Sequence, residues 1–229
     1  MKNQKKILVL LSGGADSATS LALAVQEVGS ENVCCLNAYY GQRLDKEMDC
    51  AKKLTEHYGV EYLTLDISSV MEYSDCSLLK ASTKEIEHKT YREQMDEKGT
   101  IDSYVPFRNG VFFAIAASIA DSRDIDEVWI GTHGDDYAYP DCSPEFLTLM
   151  KLAIKAGTAN DIRIFAPLQV LKKKDIIKKG LELGVPYEIT WSCYEGGEKP
   201  CGKCASCIDR INAFRENGAE DPTYKEEEV

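Results

Sequence analysis

An α/β fold, built as a doubly wound and mostly parallel sheet with a small C-terminal cysteine-bearing lobe, is what this 229-residue sequence predicts. Three observations carry it. The apolar run Lys6-Ile7-Leu8-Val9-Leu10 passes through Leu11-Ser12-Gly13-Gly14-Ala15-Asp16-Ser17 into a segment with Ala18, Leu21, Ala22, Val25 and Val28 at helical spacing. Strand-like and helix-like segments then alternate, as they do when crossover helices join parallel strands. Near the end, Cys193, Cys201, Cys204 and Cys207 fall within fifteen positions.

The first strand-to-helix turn is the chemical centre of the chain. Two glycines let the backbone bend sharply and approach an anion without a Cβ in the way. Ser12 and Ser17 offer hydroxyls, and the helix start presents free N–H groups, so the turn reads as a phosphate cradle. A Gly-Gly pair after a strand is also a common plain turn.

The next segments follow in order. Residues 32–40 read as a second strand broken by Gly41-Gln42-Arg43. Leu44, Met48, Ala51, Leu54 and Tyr58 then share a helical face, with Asp45, Glu47, Lys52 and Lys53 outside it. Residues 60–66 read as a third strand. Ligands of such sheets sit beyond the carboxyl ends of the strands, where Ser12, Gly41 and Asp66 fall.

Residues 67–104 are polar and charged, expected as a helical excursion over the site or a mobile lid. Residues 111–120 are apolar almost all round and read as a buried helix, with Arg108 and Asn109 near its start as anion or ring-edge binders, or as groups that satisfy a buried turn. A fourth strand at 126–131 leads into 132–146, rich in acids, tyrosines and small residues, a plausible substrate pocket. His133 in that loop receives no role. Leu147, Met150, Ala153 and Ile154 continue as a helix, 162–168 as a fifth strand, and 172–183 as a helix stopped by Gly184 and Pro186. Glu226-Glu227-Glu228 reads as a solvated tail. The organisation expected is a 1–185 α/β domain with a 186–229 lobe packed on it.

Composition narrows the function classes. The chain can bury a sizeable core, and no apolar run approaches a membrane span. Its basic-then-apolar start leads into Gly-Gly-Ala-Asp rather than a cleavage site, so a cytoplasmic protein is expected. A net charge of −11 argues against a stable nucleic-acid partner, although Lys172, Lys173, Lys174, Lys178 and Lys179 form a local basic stretch.

The four clustered cysteines contain two successive Cys-x-x-Cys spacings, and Gly196-Gly197 and Pro200-Cys201-Gly202 supply the turns of a knuckle. A closed four-thiol set points to structural Zn2+. An iron–sulfur cluster uses the same ligands, and a redox pair at Cys204 and Cys207 leaves Cys193 and Cys201 unexplained. Cys34, Cys35, Cys50, Cys76 and Cys142 lack ligand spacing and read as small buried hydrophobes.

The Ser-Gly-Gly-x-Asp-Ser pattern resembles the pyrophosphate loop of N-type ATP pyrophosphatases. With Tyr40-Gly41-Gln42-Arg43, residues 105–110, residues 139–146, residues 190–194, the cysteine knuckle and Cys207-Ile208-Asp209-Arg210, the whole chain resembles the 7-cyano-7-deazaguanine synthase family. Leu44 and Ser143 depart from it, where many members carry histidine and arginine. The resemblance implies an adenine nucleotide alpha hydrolase-like, Rossmann-like fold, and a carbon–nitrogen ligase of queuosine biosynthesis acting on 7-carboxy-7-deazaguanine, ammonia and ATP, with Mg2+ and one structural Zn2+. It implies that Leu11, Ser12, Gly13, Gly14, Ala15, Asp16, Ser17, Ala18, Thr19, Ser20 and Leu21 bind ATP. Ser12, Asp16, Ser17 and Arg108 are then catalytic candidates; Arg108, Asn109, Tyr139 and Asp141 are substrate candidates; Cys193, Cys201, Cys204 and Cys207 hold the zinc. A homodimer is also implied. The rivals are a thiolase-like tRNA-modifying pyrophosphatase and a non-catalytic zinc-binding module.

Overall fold

Each predicted strand forms, one to four residues shorter than its apolar run. The computed structural model describes residues 4–135 and 138–224, so Asp136, Tyr137 and the Glu226–Glu228 tail lie outside the described residues. In chain order the elements are β1 (Ile7–Leu10), α1 (Ala15–Val28), β2 (Val33–Tyr39), α2 (Lys46–Tyr58), β3 (Glu61–Asp66), α3 (Ser68–Met71), α4 (Tyr91–Lys98), α5 (Arg108–Ser122), β4 (Glu127–Trp129), α6 (Pro144–Gly157), β5 (Arg163–Phe165), α7 (Lys173–Glu182) and α8 (Ala205–Glu216).

The strands form one sheet in the order β3-β2-β1-β4-β5, every pair parallel. Ile7 sits in register with Val33 on one side and Glu127 on the other. Strand order reverses at β1, so the loop after β1 opens into the crevice where such sheets bind ligands.

Both faces of β1 are buried, which explains its unbroken apolar run. Ile7 and Val9 pack with Ala18, Leu21, Leu54, Ile177 and Phe214 from α1, α2, α7 and α8. Leu8 and Leu10 point the other way, onto Phe113, Ala116 and Ala117 of α5 and Leu147 and Ile154 of α6. The expectation for α5 needs correction: it is buried on one side only, and Ala114 and Ser118 are exposed.

Residues 67–104 carry little helix beyond α3 and α4. Their irregular chain packs Met71, Cys76, Leu78 and Leu79 against Tyr40 and Val105. Arg43 holds it further, donating from Nε to the Leu79 carbonyl at 3.2 Å and from Nη2 to the Ser82 carbonyl at 2.9 Å. Among the described residues, no helix is long and apolar enough to cross a membrane.

Candidate active site and metal centre

The phosphate-loop residues are placed by the end of β1. Leu11 N–H still reaches the Leu36 carbonyl at 2.9 Å, and Asn37 Nδ2 caps the Leu11 carbonyl at 2.7 Å. Gly13 then takes φ +94°, and a Cβ there would lie 2.1 Å from the Glu47 carbonyl oxygen. Only glycine fits this crossing. Gly14 N–H donates to Ser12 Oγ at 3.3 Å, and Ser12 and Ser17 hydroxyls meet at 3.0 Å, so the loop closes around the N-terminus of α1.

A cavity of about 260 Å³ opens over this loop. Leu11, Ser12, Gly14, Asp16 and Ser17 line it, whereas Ala15, Ala18, Thr19, Ser20 and Leu21 turn into the protein interior. Thr19, for example, shares a hydrogen bond of 2.8 Å with the Tyr187 hydroxyl behind the wall.

Asp16 faces two basic side chains across the loop. Lys173 Nζ lies 2.5 Å from its Oδ2, and His133 Nε2 lies 3.7 Å away. Burial acts to raise the Asp16 carboxyl, but the charges of Lys173 and His133 outweigh it and hold it below the usual carboxylate range. Its Oδ1 is buried without a hydrogen-bond partner among the described residues.

The opposite wall comes from the start of α5. Phe107 adopts a left-handed φ of +55°, and the turn carries Arg108 into the cavity. The Arg108 guanidinium lies 5.2 Å from the Tyr40 ring centroid, and Nη1 donates to the Tyr40 hydroxyl at 3.1 Å. Asn109 and Tyr139 also line the cavity; Tyr139 shares hydroxyl contacts with Ser103 at 2.9 Å and Tyr194 at 3.3 Å. Asp141 stands behind the wall, where its Oδ2 accepts the Asn109 backbone N–H at 2.8 Å. The structure therefore brings Arg108, Asn109 and Tyr139 to the cavity and does not bring Asp141.

Several lining residues carry no site role in the reading of the sequence: Glu47, Tyr91, His133, Lys173, Trp191 and Asp209. Glu47 was read as outside the helical face, yet α2 turns it inward. Burial pushes its carboxyl up to about 7, against the favourable charge of Arg108. Lys173 begins the helix after β5 and was read only as part of a basic stretch. Its place beyond the carboxyl end of a strand was the available signal.

The four thiols converge. Cys193, Cys201, Cys204 and Cys207 offer sulfurs that all lie within 4.8 Å of one another, and Cys201 and Cys207 sulfurs are 3.9 Å apart. Backbone N–H groups of Glu195 and Cys201 point at Cys193 Sγ, and those of Lys203 and Cys204 at Cys201 Sγ, at 3.3–3.4 Å. Such donors favour thiolates. A closed, largely buried donor set of this kind fits a bound metal. Of the remaining cysteines, Cys34, Cys35, Cys76 and Cys142 are buried as expected, and Cys50 is only partly so.

The two family departures have local explanations. Leu44 packs its Cδ2 against Gly196, where a Cβ would come within 2.4 Å, and Ser143 Oγ caps α6 by accepting the Phe146 N–H at 3.1 Å.

The chain is 42% identical over 226 residues to the 7-cyano-7-deazaguanine synthase of Thermoplasma acidophilum, covering 96% of this chain and 91% of that protein. It is also 42% identical over 234 residues to that of Persephonella marina, covering 99% and 100%. Among solved structures, NMN synthetase from Francisella tularensis superposes with a TM-score of 0.52 at 18% identity, over 95% of this chain and 79% of the other. The U34-tRNA thiolase NcsA from Methanococcus maripaludis, solved with its 4Fe-4S cluster, gives 0.52 at 18% identity, over 94% and 67%. These two likenesses speak to the fold alone, which is the α/β architecture expected. Residues 6–218 match the model of queuosine biosynthesis protein QueC, and the chain belongs to that family.

Proposed function

We propose that the chain converts 7-carboxy-7-deazaguanine and ammonia into 7-cyano-7-deazaguanine with ATP, as a ligase forming carbon–nitrogen bonds. One observation supports this most directly. A phosphate cradle and an Arg108–Tyr40–Tyr139 wall face each other across one cavity, so a nucleotide triphosphate and a flat anionic base can meet in it.

The chemistry follows from what a carboxylate lacks. Its oxygen leaves badly, so it must first attack the α phosphorus of ATP to form an acyl-adenylate. Ser12, Ser17 and the α1 N–H groups hold the departing pyrophosphate, and Lys173 and Arg108 supply positive charge to the cleft. Ammonia displaces AMP to give the amide. A second activation, at the amide oxygen, permits loss of AMP to leave the nitrile. Walls of Phe112, Trp191 and Tyr194 limit water that would hydrolyse the adenylate.

The unpartnered Asp16 Oδ1 suits Mg2+, a hard cation that takes oxygen ligands and neutralises phosphate charge. For the cysteine site we propose one Zn2+. Tetrahedral ligation at about 2.3 Å spaces neighbouring sulfurs by roughly 3.8 Å, close to the 3.9 Å between Cys201 and Cys207. A four-iron cube spreads its cysteine sulfurs farther apart than the ligands of one ion. In this reading residues 1–185 form the α/β domain that carries the ATP loop, 186–229 form the zinc-bound lobe packed on it and add Trp191 and Tyr194 to the cavity wall, and the protein works in the cytoplasm as a homodimer.

The test is a mass-spectrometric assay of purified protein with ATP, Mg2+, ammonium and 7-carboxy-7-deazaguanine, following base and nucleotide together. Nitrile with AMP supports the reading. Pyrophosphate exchange without nitrile redirects it to another carboxylate or to tRNA.

A further inference from the structure

Glu47 is a cavity carboxylate that the preceding chemistry leaves without a role, as it does Asp135 and Asp209, and its helix packs on the Ser12–Ser17 loop. It lies in the first turn of α2, and its own carbonyl is the atom that forces glycine at position 13. Its backbone is thereby packed on the phosphate loop. Its side chain faces the cavity together with Ser12, Arg108 and Trp191.

The Glu47 side chain is half-buried on the cavity wall, and no hydrogen bond from a described residue acts on it. Structural carboxylates in this protein keep their donors, as Asp221 does from Arg210 and Glu127 from Trp129 and Arg163. Partial withdrawal from water without a donor pushes the carboxyl up, and the through-space charge of Arg108 opposes that rise. Tyr40, at the end of β2, and Cys50, one turn along α2, are the other titratable groups that feel Glu47. The result is a carboxyl that faces the same cavity as Ser12, Asp16 and Ser17 and holds no hydrogen-bond donor among the described residues.

Resting on the ATP-dependent reading above, we propose that Glu47 is the proton acceptor for the nitrogen steps of the reaction. In the first, the ammonia nitrogen bonds to the acyl carbon, the carbon–oxygen bond to AMP breaks with its electron pair, and one N–H proton passes to a Glu47 oxygen. In the second, the adenylated imidate loses its N–H proton to Glu47 while the carbon–oxygen bond breaks toward AMP and the third carbon–nitrogen bond forms. Each step makes one AMP and one proton, which Glu47 returns to solvent. A carboxyl poised at about 7 does both near neutral pH.

The experiment compares wild-type protein with Glu47→Gln and Glu47→Asp in three assays. Exchange of pyrophosphate into ATP, dependent on 7-carboxy-7-deazaguanine and run without ammonia, reads adenylation alone. Amide and nitrile formation with ammonium reads the nitrogen steps, and hydroxylamine, a stronger and less basic nucleophile, reads whether base help is bypassed. The expected result for Glu47→Gln is exchange within about threefold of wild type, nitrile formation down by roughly 10²–10⁴-fold, and partial rescue as the hydroxamate. Glu47→Asp, which keeps a carboxylate, should retain more nitrile formation than Glu47→Gln. With the concentration of free NH3 held constant, the wild-type nitrile rate should rise with pH to a plateau just above 7, and the residual Glu47→Gln rate should lack that rise. Nitrile formation by Glu47→Gln within threefold of wild type overturns the proposal, and so does exchange that falls in parallel with it. A wild-type protein inert in both assays instead removes the reading of the reaction on which the proposal rests.

Discussion

Lys173 Nζ lies 2.5 Å from Asp16 Oδ2, joining the first turns of α7 and α1 across 157 positions of sequence. The pair closes one side of the phosphate loop, with side chains only 15% and 25% exposed. Asp16 alone would be a buried charge at the mouth of an anion site; with Lys173 it becomes a neutral pair whose second oxygen stays open.

Replacing Lys173 with Met should therefore destabilise the protein at pH 7 by about 1–3 kcal/mol, because a largely buried carboxylate loses its partner. Asp16 is held below its ordinary value in the fold. Its contribution is present in full above about pH 4 and is lost as pH falls through the lowered native value. Urea unfolding of both proteins at pH 7 and pH 3 checks this. The difference should shrink at the lower pH; an equal difference at both would assign the loss to packing.

Gly13→Ala should abolish ATP-dependent turnover and cost roughly 2–4 kcal/mol, since the new Cβ meets backbone atoms of α2 and the φ of +94° is strained for any L side chain. Equilibrium unfolding and pyrophosphate exchange measure the two effects. Gly59, with φ +65° and open space around its Cβ, supplies the control: Gly59→Ala should cost only the backbone strain of about 1 kcal/mol and leave exchange intact.

Arg210 uses all five of its N–H donors while only 2% exposed: Nε and Nη2 on Asp221 at 2.6 and 3.0 Å, Nη1 on Thr190 at 2.7 Å and Ser192 at 3.2 Å, and Nη2 on the Tyr187 carbonyl at 3.1 Å. It ties α8 to the segment that precedes Cys193. Arg210→Met alone should cost about 3–5 kcal/mol, because Asp221 is left as a buried unpaired charge. Adding Asp221→Leu should recover much of that loss in thermal unfolding.

Cys204→Ser should lower bound zinc from one ion per chain to near zero by elemental analysis and reduce thermal stability, as expected when a closed metal site contributes folding energy. A variant with normal zinc content would remove Cys204 from the ligand set. Iron in place of zinc in the wild-type protein would reassign the metal.

Much of the fold was legible because the relevant forces act between near neighbours along the chain. The buried runs of β1, β2 and β4 have few polar interruptions, and the Gly13-Gly14 turn permits one class of backbone path. The burial of α5 was overestimated because a string of Ala, Ile and Phe does not reveal which side lacks a neighbour. Ala114 is exposed where nothing packs on it. Glu47 was misplaced for a related reason: helical periodicity sorts faces by polarity, and a polar residue turned toward a polar cavity looks like a solvent-facing one.

The order of the five strands, the glycine turn after the first of them and the four-thiol set were legible in the sequence, since each depends on spacing within a few residues. Only the tertiary structure decided which distant groups share the cavity. Strand order 3-2-1-4-5 brings the turns after β1 and β2 to the same end of the sheet as those after β4 and β5. That single arrangement sets Lys173 against Asp16, stacks Arg108 on Tyr40 and leaves Glu47 facing inward, because in a parallel sheet every strand's carboxyl end, and the loop that follows it, opens on one side.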